Sequence, residues 1–412
     1  MSDPGSSVAV VWRNRSLVPL AMATVAAGLA FYVPVSALFL ESRGQSLTDI
    51  FIFESILVAS IMLTEIPSGV IADRLDRRWM IIAGFVLNAS AEIIFATGHS
   101  FMGFAISFCV SGVGIAMLTG VQDAYIYDSL GEDADKTSVG VWGHLSSLGL
   151  VAGVLGSIVG SILASFDIGL PAMAAAVAAV VAALISVFLS AQRPRLEPGE
   201  HEETSIHAVR EGVRLLVSTP ILLYIAVASS AAFVLFNAVY TLNQPLFSAS
   251  ALPVIAWGFI GGGAQLVAAL YNHHANRVEK RLGRKYALLL AMGFGFLGFV
   301  LMAIPNQVVV VAGFILVVLG MNARGPITMA VANRVIPMKR RATVLNVASS
   351  LGSLIGILVN PLIGFGADAN PSFTVIAIGT ILLGLMLTWI PVANKYLDTP
   401  PKENDAVQVE TH

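Results

Sequence analysis

The sequence has little charge. Only 12% of its 412 residues are charged, with 23 Lys and Arg against 25 Asp and Glu, whereas a soluble domain carries about 25%. Hydrophobic residues make up 56% of the chain, and the mean hydropathy is +0.82. A water-soluble fold of this size has too little interior to bury so much apolar surface. The composition therefore excludes an ordinary soluble enzyme and a disordered protein, and a net charge of -2 gives no basis for binding nucleic acid.

The sequence also lacks the residues of a metal or redox centre. Cys109 is its single cysteine, which excludes an internal disulfide and a cysteine-rich metal site. His273 and His274 are adjacent, so they point to different faces of a helix and form a poor metal site. The Gly-x-Gly-x-x-Gly pattern at 293–298 lies inside an apolar run, where a dinucleotide fold cannot form. We therefore expect no metal, no cofactor and no enzyme activity.

Twelve apolar runs follow one another along the chain, and each approaches the roughly 20 residues that cross a hydrocarbon core. The runs cover approximately 17–40, 48–72, 79–97, 101–129, 139–164, 168–190, 220–243, 254–275, 286–304, 308–333, 342–366 and 372–394. Arg13 and Arg15 precede a first run that is too long for the core of a cleaved signal peptide. The sequence therefore predicts an all-α membrane protein with twelve transmembrane helices, which are numbered spans 1 to 12.

The basic residues predict how these spans are oriented. With the N-terminus in the cytoplasm, 21 of the 23 Lys and Arg fall in cytoplasmic segments, while Arg43 lies outside and Arg324 lies within span 10. Positive charge accumulates on the cytoplasmic side of membrane proteins. We therefore expect a multi-pass protein of the plasma membrane with both termini in the cytoplasm.

The longest cytoplasmic connection divides the chain into two halves of six spans. The predicted parts are an N-terminal six-helix bundle at 1–190, a cytoplasmic linker with a short amphipathic helix on the membrane surface at 191–219, a C-terminal six-helix bundle at 220–396 and a disordered cytoplasmic tail at 397–412. The halves repeat, because Asp73–Arg78 after span 2 matches Lys280–Lys285 after span 8. Parallel six-span repeats are a known transporter architecture.

The loop after span 2 carries the most specific motif. The pattern Gly-x-x-x-Asp-Arg-x-Gly-Arg-Arg/Lys reads Gly69-Val70-Ile71-Ala72-Asp73-Arg74-Leu75-Asp76-Arg77-Arg78, with Asp76 in place of the second glycine. Over spans 1–12, residues 16–396, the chain resembles the major facilitator superfamily. The resemblance implies two pseudo-symmetric six-helix bundles around one central site that opens alternately to either side.

The same resemblance implies a gate at the cytoplasmic ends of the spans. The implied gating residues are Gly69, Asp73, Arg74, Arg77, Arg78 and Asp128. Their contacts hold in one conformation and break in the other, which biases the access equilibrium. The simpler alternative is a basic loop that only sets the topology. We expect Asp76 to shift the balance, because aspartate tolerates a left-handed turn less well than glycine does.

Segments in spans 2 and 4 resemble a smaller group within the superfamily. Glu65–Gly69 and Thr119–Ser129 resemble a group of bacterial superfamily members known as drug exporters. Two features of proton-driven drug antiporters are missing, since Phe108 stands nearest the place of their span-4 arginine and the proline of their span-5 motif is absent. The resemblance implies a secondary transporter and favours drug export, while it leaves uptake open.

Asp123 is the candidate proton-coupling residue, with Glu65 assisting. Asp123 lies about 9 Å from the predicted cytoplasmic end of span 4, where a carboxylate costs a few kcal/mol unless it is protonated, paired or hydrated. Such a group suits a proton carrier or a counter-charge for a cationic substrate, and a static ion pair is the alternative. Glu54 and Glu92 are also costly in lipid, and packing networks are the simpler interpretation for them.

Arg324 is the complementary cation, midway along span 10 beside Asn322 and the break at Gly325-Pro326. The resemblance places spans 1, 4, 7 and 10 around the central cavity, so Arg324 either faces Asp123, binds an anionic substrate group or caps carbonyl groups freed by Pro326. The predicted substrate-binding residues are Arg324, Tyr32, Phe31, Asn237, Tyr240, Asn322 and Tyr127. Aromatic rings with a few polar groups suit amphipathic organic molecules.

The resulting hypothesis is a secondary active transporter that exports amphipathic small molecules or drugs in exchange for protons. Uptake or exchange of a polar or anionic metabolite held by Arg324 is the main alternative, and a transport-inactive sensor is a further one. The expected partners are the small-molecule substrate, protons and the lipid bilayer. We expect a monomer, because the glycine pairs of spans 5, 8 and 11 suit a moving seam between the halves better than a homodimer interface.

Overall fold

The computed structural model describes residues 4–72, 75–191, 205–336 and 341–396. Within these ranges the chain is helical and forms no β-strand. The helices are α1 (Pro4–Arg13), α2 (Leu17–Gly28), α3 (Ser36–Ser42), α4 (Leu47–Ala72), α5 (Arg77–Thr97), α6 (Phe101–Leu118), α7 (Val121–Leu130), α8 (Ala134–Ala164), α9 (Leu170–Ser186), α10 (Ser205–Ser218), α11 (Pro220–Asn237), α12 (Val239–Ala249), α13 (Val254–Leu282), α14 (Arg284–Met302), α15 (Gln307–Val335), α16 (Arg341–Ala369) and α17 (Pro371–Tyr396). The predicted tail at 397–412 and the linker residues 192–204 lie outside the described residues.

The helices account for the twelve predicted spans. Ten segments of the described chain are long and apolar enough to cross a membrane. One of them, Phe101–Ala164, has 64 residues, enough for two crossings of about 20 residues each. Leu170–Ser186 adds a shorter apolar helix. The predicted all-α membrane fold is confirmed.

Local sequence sets where several helices begin. The Asp76 carboxylate accepts a hydrogen bond from the backbone N–H of Arg78 at 3.1 Å, and Asn306 accepts one from Val308 at 3.0 Å. These bonds satisfy N–H groups that the first turn of a helix leaves without a partner. Pro220 begins α11 at a position where a missing N–H costs no helical hydrogen bond.

Contacts divide the chain into two compact units. The N-terminal unit comprises Met1–Gly199 and Pro253–Gly262, and the C-terminal unit comprises Glu200–Leu252 and Gly263–His412. Each unit has its own buried apolar core, which includes Phe85 and Tyr125 in the first and Leu288 and Trp389 in the second. Each unit therefore buries apolar surface that is independent of the other.

A helix forms within the predicted linker. In α10, Leu215 and Leu216 are buried. A Cβ built on Gly212 would lie 2.8 Å from a side-chain carbon of Thr343. One side of α10 therefore packs against the first turns of α16 inside the C-terminal unit.

Span 1 is broken into two helices. α2 ends at Gly28 and α3 begins at Ser36. Pro34 explains the break, because proline cannot donate the helical hydrogen bond to the carbonyl of Ala30 and its ring would clash with that group. Within the break, the Ala30 N–H bonds to the carbonyl of Gly28 at 2.8 Å, two residues back rather than the four of an α-helix. Broken helices recur at the binding sites of membrane transporters.

Span 5 approaches the broken segment of span 1 closely. A Cβ built on Gly160 of α8 would lie 1.7 Å from the carbonyl oxygen of Phe31, and one on Gly156 would lie 3.1 Å from the Cα of Leu29. Only a residue without a side chain fits against the backbone at the first position. The contact holds the break in place inside the N-terminal unit.

Candidate functional site

Asp123 lies at the start of a helix. The predicted continuous span at 101–129 is interrupted, since α6 ends at Leu118, Gly120 has a φ of +75° and α7 begins at Val121. Asp123 therefore occupies the first turn of α7, where backbone N–H groups and the helix dipole stabilise negative charge. Its side chain is exposed. The position thus suits a charged carboxylate that meets a cation.

Two half-exposed aromatic side chains lie beside Asp123. Trp142 Nε1 donates a hydrogen bond to Asp123 Oδ1, and the Tyr127 hydroxyl donates to Asp135 Oδ1 at 2.7 Å. A cleft of about 350 Å³ in the N-terminal unit is lined by Asp123, Ile126, Tyr127, Ser138, Val139 and Trp142. This volume is within the usual range for small-molecule sites. A carboxylate beside aromatic faces attracts an organic cation both by charge and by cation–π contact.

Glu65 does not join this cleft. It is exposed on α4, and no hydrogen bond or ion pair in the described part of the chain connects it to Asp123. The hydroxyl of Ser68 donates to the carbonyl groups of Glu65 at 3.0 Å and Ala116 at 3.3 Å, which ties α4 to α6. The assisting role of Glu65 in proton coupling stays a prediction.

Arg324 is buried in the C-terminal unit and only 4% exposed. Its Nη1 donates to the carbonyl oxygen of Ser229 in α11 at 3.1 Å, and its guanidinium lies 5.9 Å from the centre of the Phe236 ring. Its Nε and the Ser229 hydroxyl are both buried without a hydrogen-bond partner. No carboxylate among the described residues pairs with Arg324. Buried polar groups normally have partners, so these two atoms mark a place for a ligand or water.

The sequence left three roles open for Arg324, and the structure bears on two of them. The described hydrogen bond of Arg324 goes to α11, whereas the Thr328 hydroxyl donates to the carbonyl of Gly325 at 3.0 Å. Capping of carbonyl groups at the Pro326 break by Arg324 is therefore not seen. Asp123 and Arg324 belong to different units, and their predicted encounter stays a prediction.

The remaining predicted binding residues of the C-terminal unit have polar partners. Asn237 and Asn322 donate to carbonyl groups of their own helices, at 3.0 Å and 2.9 Å. The Tyr240 hydroxyl accepts a hydrogen bond from Gln265 at 3.0 Å. None of the described hydrogen bonds brings these side chains to Arg324. Their role as substrate ligands stays a prediction.

Tyr32 and Phe31 lie in the break of span 1. The Tyr32 hydroxyl donates to Glu92 Oε1 of α5 at 3.2 Å. Phe31 is half-buried, and its carbonyl group faces Gly160. Tyr32 is thus hydrogen-bonded to a half-buried glutamate, for which a packing network was the simpler interpretation of the sequence.

The loop after span 2 makes the charge contacts expected of a gate. Arg77 forms an ion pair with Asp128 and donates to the carbonyl of Ala124 at 3.2 Å. These contacts join the start of α5 to the end of α7. Asp73 and Arg74 lie outside the described residues. Whether the ion pair opens and closes with the access cycle stays a prediction.

The structure also describes Gly69 and Asp76 of the same motif. Gly69 is exposed, and a Cβ there would meet no described atom within 4 Å. Asp76 does not adopt the left-handed turn from which we expected a shift in the balance, because its φ is -58° and its carboxylate caps α5. Arg78 adds an ion pair, with Nε 3.1 Å from Asp76 Oδ2. Aspartate therefore replaces glycine here as a helix cap.

A family model settles the class of protein. The model of the Major Facilitator Superfamily matches residues 20–358. The chain belongs to the Major Facilitator Superfamily. Its twelve transmembrane helices thus form the two six-helix bundles of that superfamily, and the protein is a transporter of small molecules rather than an enzyme.

Known members of the superfamily resemble the chain to different extents. The quinolone resistance protein NorA of Staphylococcus aureus is 26% identical over 91 residues, which are 22% of this chain and 24% of NorA. The match thus spans about a quarter of NorA. A crystal structure of a mutant of the nucleoside transporter NupG is 14% identical, covers 93% of this chain and 100% of its own, and has a TM-score of 0.77.

A second solved structure shows the same fold. A bacterial homologue of the human lysosomal transporter Spinster, inward-facing and unoccupied, is 15% identical, covers 94% of this chain and 99% of its own, and has a TM-score of 0.73. At these identities the likeness concerns the fold alone. Because the similar proteins include a nucleoside transporter as well as a quinolone resistance protein, the substrate has to be argued from the residues of the site.

Sequence reasoning missed two residues of this superfamily member. Trp142 lies 19 residues beyond Asp123 on the next helix, and a tryptophan near the end of a span is expected at a membrane interface. Ser229 is a small polar residue in an apolar run, and nothing in its spacing singles it out. Both matter only through contacts between helices, which the sequence does not show.

Proposed function

We propose that the protein exports cationic amphipathic small molecules, drugs among them, in exchange for protons by alternating access. The observation that carries the proposal is the cleft in which the Asp123 carboxylate lies beside Trp142 and Tyr127. This combination fits an organic cation with an apolar body. The similarity to a quinolone resistance protein supports drugs as a substrate class.

Exchange follows from competition at Asp123. A charged carboxylate attracts the substrate cation, and protonation removes that attraction. Substrate and proton therefore bind alternately, which couples export to the inward proton gradient, with Glu65 as the assisting carboxyl group. The proposed ligands of the apolar body and polar groups of the substrate are Tyr127, Tyr32, Phe31, Asn237, Tyr240 and Asn322. Arg324 is the proposed ligand of an anionic substrate group.

The gate and the orientation belong to the same proposal. The Arg77–Asp128 ion pair, together with Asp73 and Arg74, holds the cytoplasmic ends of the N-terminal spans in one access state. The distribution of basic residues supports a plasma membrane protein with both termini in the cytoplasm. The cleft near α7 and α8 then faces the side from which an exporter loads.

A resistance assay in an efflux-deficient bacterium tests the proposal. Wild type, Asp123→Asn, Trp142→Phe and Asp133→Asn are expressed at equal levels and challenged with ethidium and norfloxacin. We expect wild type to raise the inhibitory concentration of ethidium, Asp123→Asn to abolish the gain, and Trp142→Phe to reduce it, because the ring stays but the N–H donor is lost.

Asp133→Asn is the matched control. Asp133 is an exposed carboxylate in the turn before α8, and its side chain makes no cap hydrogen bond. It should give the wild-type inhibitory concentration. Equal resistance from wild type and Asp123→Asn would remove Asp123 from both binding and coupling, and sensitivity of the wild-type strain to both compounds would argue against cation export.

A second candidate function rests on Arg324. The unpartnered Nε and Ser229 hydroxyl favour an anionic group, such as the carboxylate of a metabolite taken up or exchanged. Thermal unfolding of the purified protein with citrate, lactate and glucuronate tests this. An anion substrate should raise the melting temperature of wild type and of Arg284→Gln, a variant of a half-exposed arginine, but not of Arg324→Met. No shift with any of the three anions would count against this candidate.

A further inference from the structure

Glu92 is half-buried, and one of its carboxyl oxygens has a hydrogen-bond partner while the other has none. Its Oε1 accepts the hydrogen bond from the Tyr32 hydroxyl at 3.2 Å. Its Oε2 is buried and has no hydrogen-bond partner. An ionised carboxylate accepts several hydrogen bonds, whereas a neutral acid needs fewer and donates one. The environment therefore holds the neutral acid at much lower cost than the carboxylate.

No cation among the described residues compensates a charge on Glu92. The helices packed along α5 are α6, α9 and α7. α6 carries Cys109 as its single titratable residue, and α9 carries none. The titratable residues of α7 are Asp123, Tyr125, Tyr127 and Asp128. They lie near the other end of α5, where Asp128 pairs with Arg77, fifteen residues or about 22 Å from Glu92.

Two titratable side chains, Arg43 and His99, lie near the outer end of α5. Arg43 contacts His99, which follows α5, and its guanidinium lies 5.2 Å from the centre of the Phe39 ring. Neither forms an ion pair with Glu92 in the described structure. Tyr32, from the break of span 1, is the titratable group in direct contact with Glu92.

The surroundings of Glu92 are fixed on one side and adaptable on the other. The Ser107 hydroxyl of α6 donates to the carbonyl of Ala91 at 2.8 Å, next to Glu92. The Tyr32 ring packs on Phe95 with centres 4.7 Å apart. Tyr32 itself lies in the break between α2 and α3, outside any α-helix. The segment there is a short 3-10 turn at Val33–Val35, in which the Val35 N–H donates to the carbonyl of Tyr32 at 2.9 Å. A change at Glu92 therefore reaches a part of span 1 that lies outside the regular α-helical hydrogen-bond pattern.

We propose that Glu92 is a proton-binding site of the transporter and that Tyr32 transmits its charge state to the break in span 1. A proton bound to Oε2 leaves a neutral acid that fits the apolar surroundings. When that proton leaves, the carboxylate needs water or a closer donor, and Tyr32 is the group able to move toward it. The inference deepens the proposed proton-coupled export, because it adds a proton site apart from the exposed Asp123.

By the predicted orientation, Glu92 lies toward the outer end of α5, five residues before Thr97 or about 7 Å. A proton that arrives from the outside therefore meets Glu92, while a substrate cation that arrives from the cytoplasm meets Asp123. The proton site at Glu92 thus lies near the side from which the proton arrives, and the competition at Asp123 takes place near the side from which the substrate loads.

Infrared difference spectra between acidic and alkaline buffer test the site directly, without any substrate. The full-length protein is measured in lipid vesicles as wild type, Glu92→Gln, Tyr32→Phe and Glu54→Gln. We expect wild type to show the C=O stretch of a neutral carboxylic acid that disappears on alkalinisation. Glu92→Gln should lack this band, Tyr32→Phe should shift it, and Glu54→Gln, a second intramembrane glutamate, should keep it. Identical spectra from wild type and Glu92→Gln would overturn the proposal.

Ethidium transport in everted vesicles tests whether the site drives coupling. Glu92→Gln resembles the permanently protonated state, so accumulation driven by a pH gradient should fall at least tenfold. Counterflow of ethidium without a gradient should persist. Loss of both activities in a folded variant would mean that Glu92 acts on structure rather than coupling. If wild type moves no ethidium, the proposed export fails, and the infrared band still decides whether Glu92 binds the proton.

Discussion

The two repeats have the same helical architecture, but they differ in the ionisable residues inside their spans. The N-terminal repeat carries carboxyl groups inside its spans, namely Glu54, Glu65, Glu92 and Asp123. Between residues 220 and 396 the only acidic residues are Glu279 and Asp368, which lie in the last turns of α13 and α16. Among the described residues of that repeat, Arg324 is the buried ionisable one. Carboxyl groups well inside the predicted spans thus belong to the N-terminal repeat, and the buried guanidinium belongs to the C-terminal one.

This difference distinguishes the residues that form the fold from the residues that we propose for transport. Apolar runs and small residues recur in both halves, and they are sufficient to form twelve membrane helices. Ionisable groups inside a membrane are costly in either half, so their placement calls for a functional reason. The proposed proton and cation sites thus lie in the N-terminal repeat, and the proposed anion site lies in the C-terminal one.

The packing of the repeats differs as well. In the N-terminal unit, Gly160 of span 5 meets the backbone of span 1 at Phe31. In the C-terminal unit, Gly356 of span 11 meets the side chain of Val234 in span 7, with its built Cβ 3.5 Å away. A side chain adjusts more easily than a carbonyl group, so the first contact is rigid and the second is tolerant.

The largest effect should therefore come from Gly160→Ala. The added methyl group would lie 1.7 Å from a carbonyl oxygen, and we expect destabilisation at or above the upper end of the usual 1–3 kcal/mol for overpacking. Gly356→Ala should stay within about 0.5 kcal/mol. Size-exclusion profiles and melting temperatures of both variants in the same detergent measure this. Equal losses of stability in the two variants would contradict the proposed difference in rigidity between the two contacts.

The second-largest expected effect concerns the stability that ion pairs contribute, with one pair taken from each repeat. Arg77 and Asp128 have side chains that are 17% and 13% exposed, whereas Arg284 and Glu279 are 40% and 20% exposed. Removal of one partner from a buried pair costs about 3 kcal/mol or more, and an exposed pair contributes below about 1 kcal/mol.

Asp128→Asn and Glu279→Gln test that comparison. Asp128→Asn should lower the free energy of unfolding by about 3 kcal/mol, and Glu279→Gln by less than about 1 kcal/mol. Denaturant unfolding of each purified variant gives both values. Rescue of Asp128→Asn by Arg77→Gln would confirm that the loss comes from the unpaired cation, and a larger loss in Glu279→Gln would reverse the argument.

The sequence predicted the fold well, because the information lies in runs of about 20 residues that any helix can display. It also predicted that Asp123 and Arg324 are exceptional, since charge inside a span is conspicuous. It did not predict that Asp123 is exposed. That exposure depends on the interruption at Gly120 and on the position of Trp142, which are set by the packing of α6, α7 and α8.

The polar contacts were harder to predict than the helices. The pairing of Tyr32 with Glu92 joins residues 60 positions apart, and the contact between Arg324 and Ser229 joins residues 95 positions apart. Hydrophobic periodicity identifies helices but gives no register between them. For the same reason, Asn237 and Asn322, which bond to their own helices, looked like cavity groups in the sequence.

A buried arginine without a carboxylate carries a desolvation cost that no ion-pair attraction offsets. Replacement of buried charge by a well-packed apolar residue is often neutral or stabilising by about 1–4 kcal/mol. We expect Arg324→Met to raise the free energy of unfolding by about 1–2 kcal/mol, while Arg77→Met lowers it, because Asp128 then lacks its partner. Chemical denaturation without added ligand measures both. Strong destabilisation by Arg324→Met would make the bond to Ser229 structural.

The smallest effect concerns the two matching loops, which begin their helices differently. Asp76 has a φ of -58° and caps α5 through its side chain, whereas Gly283 has a φ of +79° before α14. Asp76→Gly should therefore cost only a few tenths of a kcal/mol, because glycine is an acceptable cap. Gly283→Asp places a side chain in the left-handed region and should cost about 1–2 kcal/mol.

The two substitutions should therefore differ in their cost to stability, and melting temperatures of the two single variants measure this difference. Gly283→Ala serves as the control, since it adds the steric cost of a Cβ without a capping group. It should be at least as unstable as Gly283→Asp. If Asp76→Gly proved the more damaging change, the Asp76 carboxylate would be doing more than capping α5, and its ion pair with Arg78 at 3.1 Å would be the contact to examine.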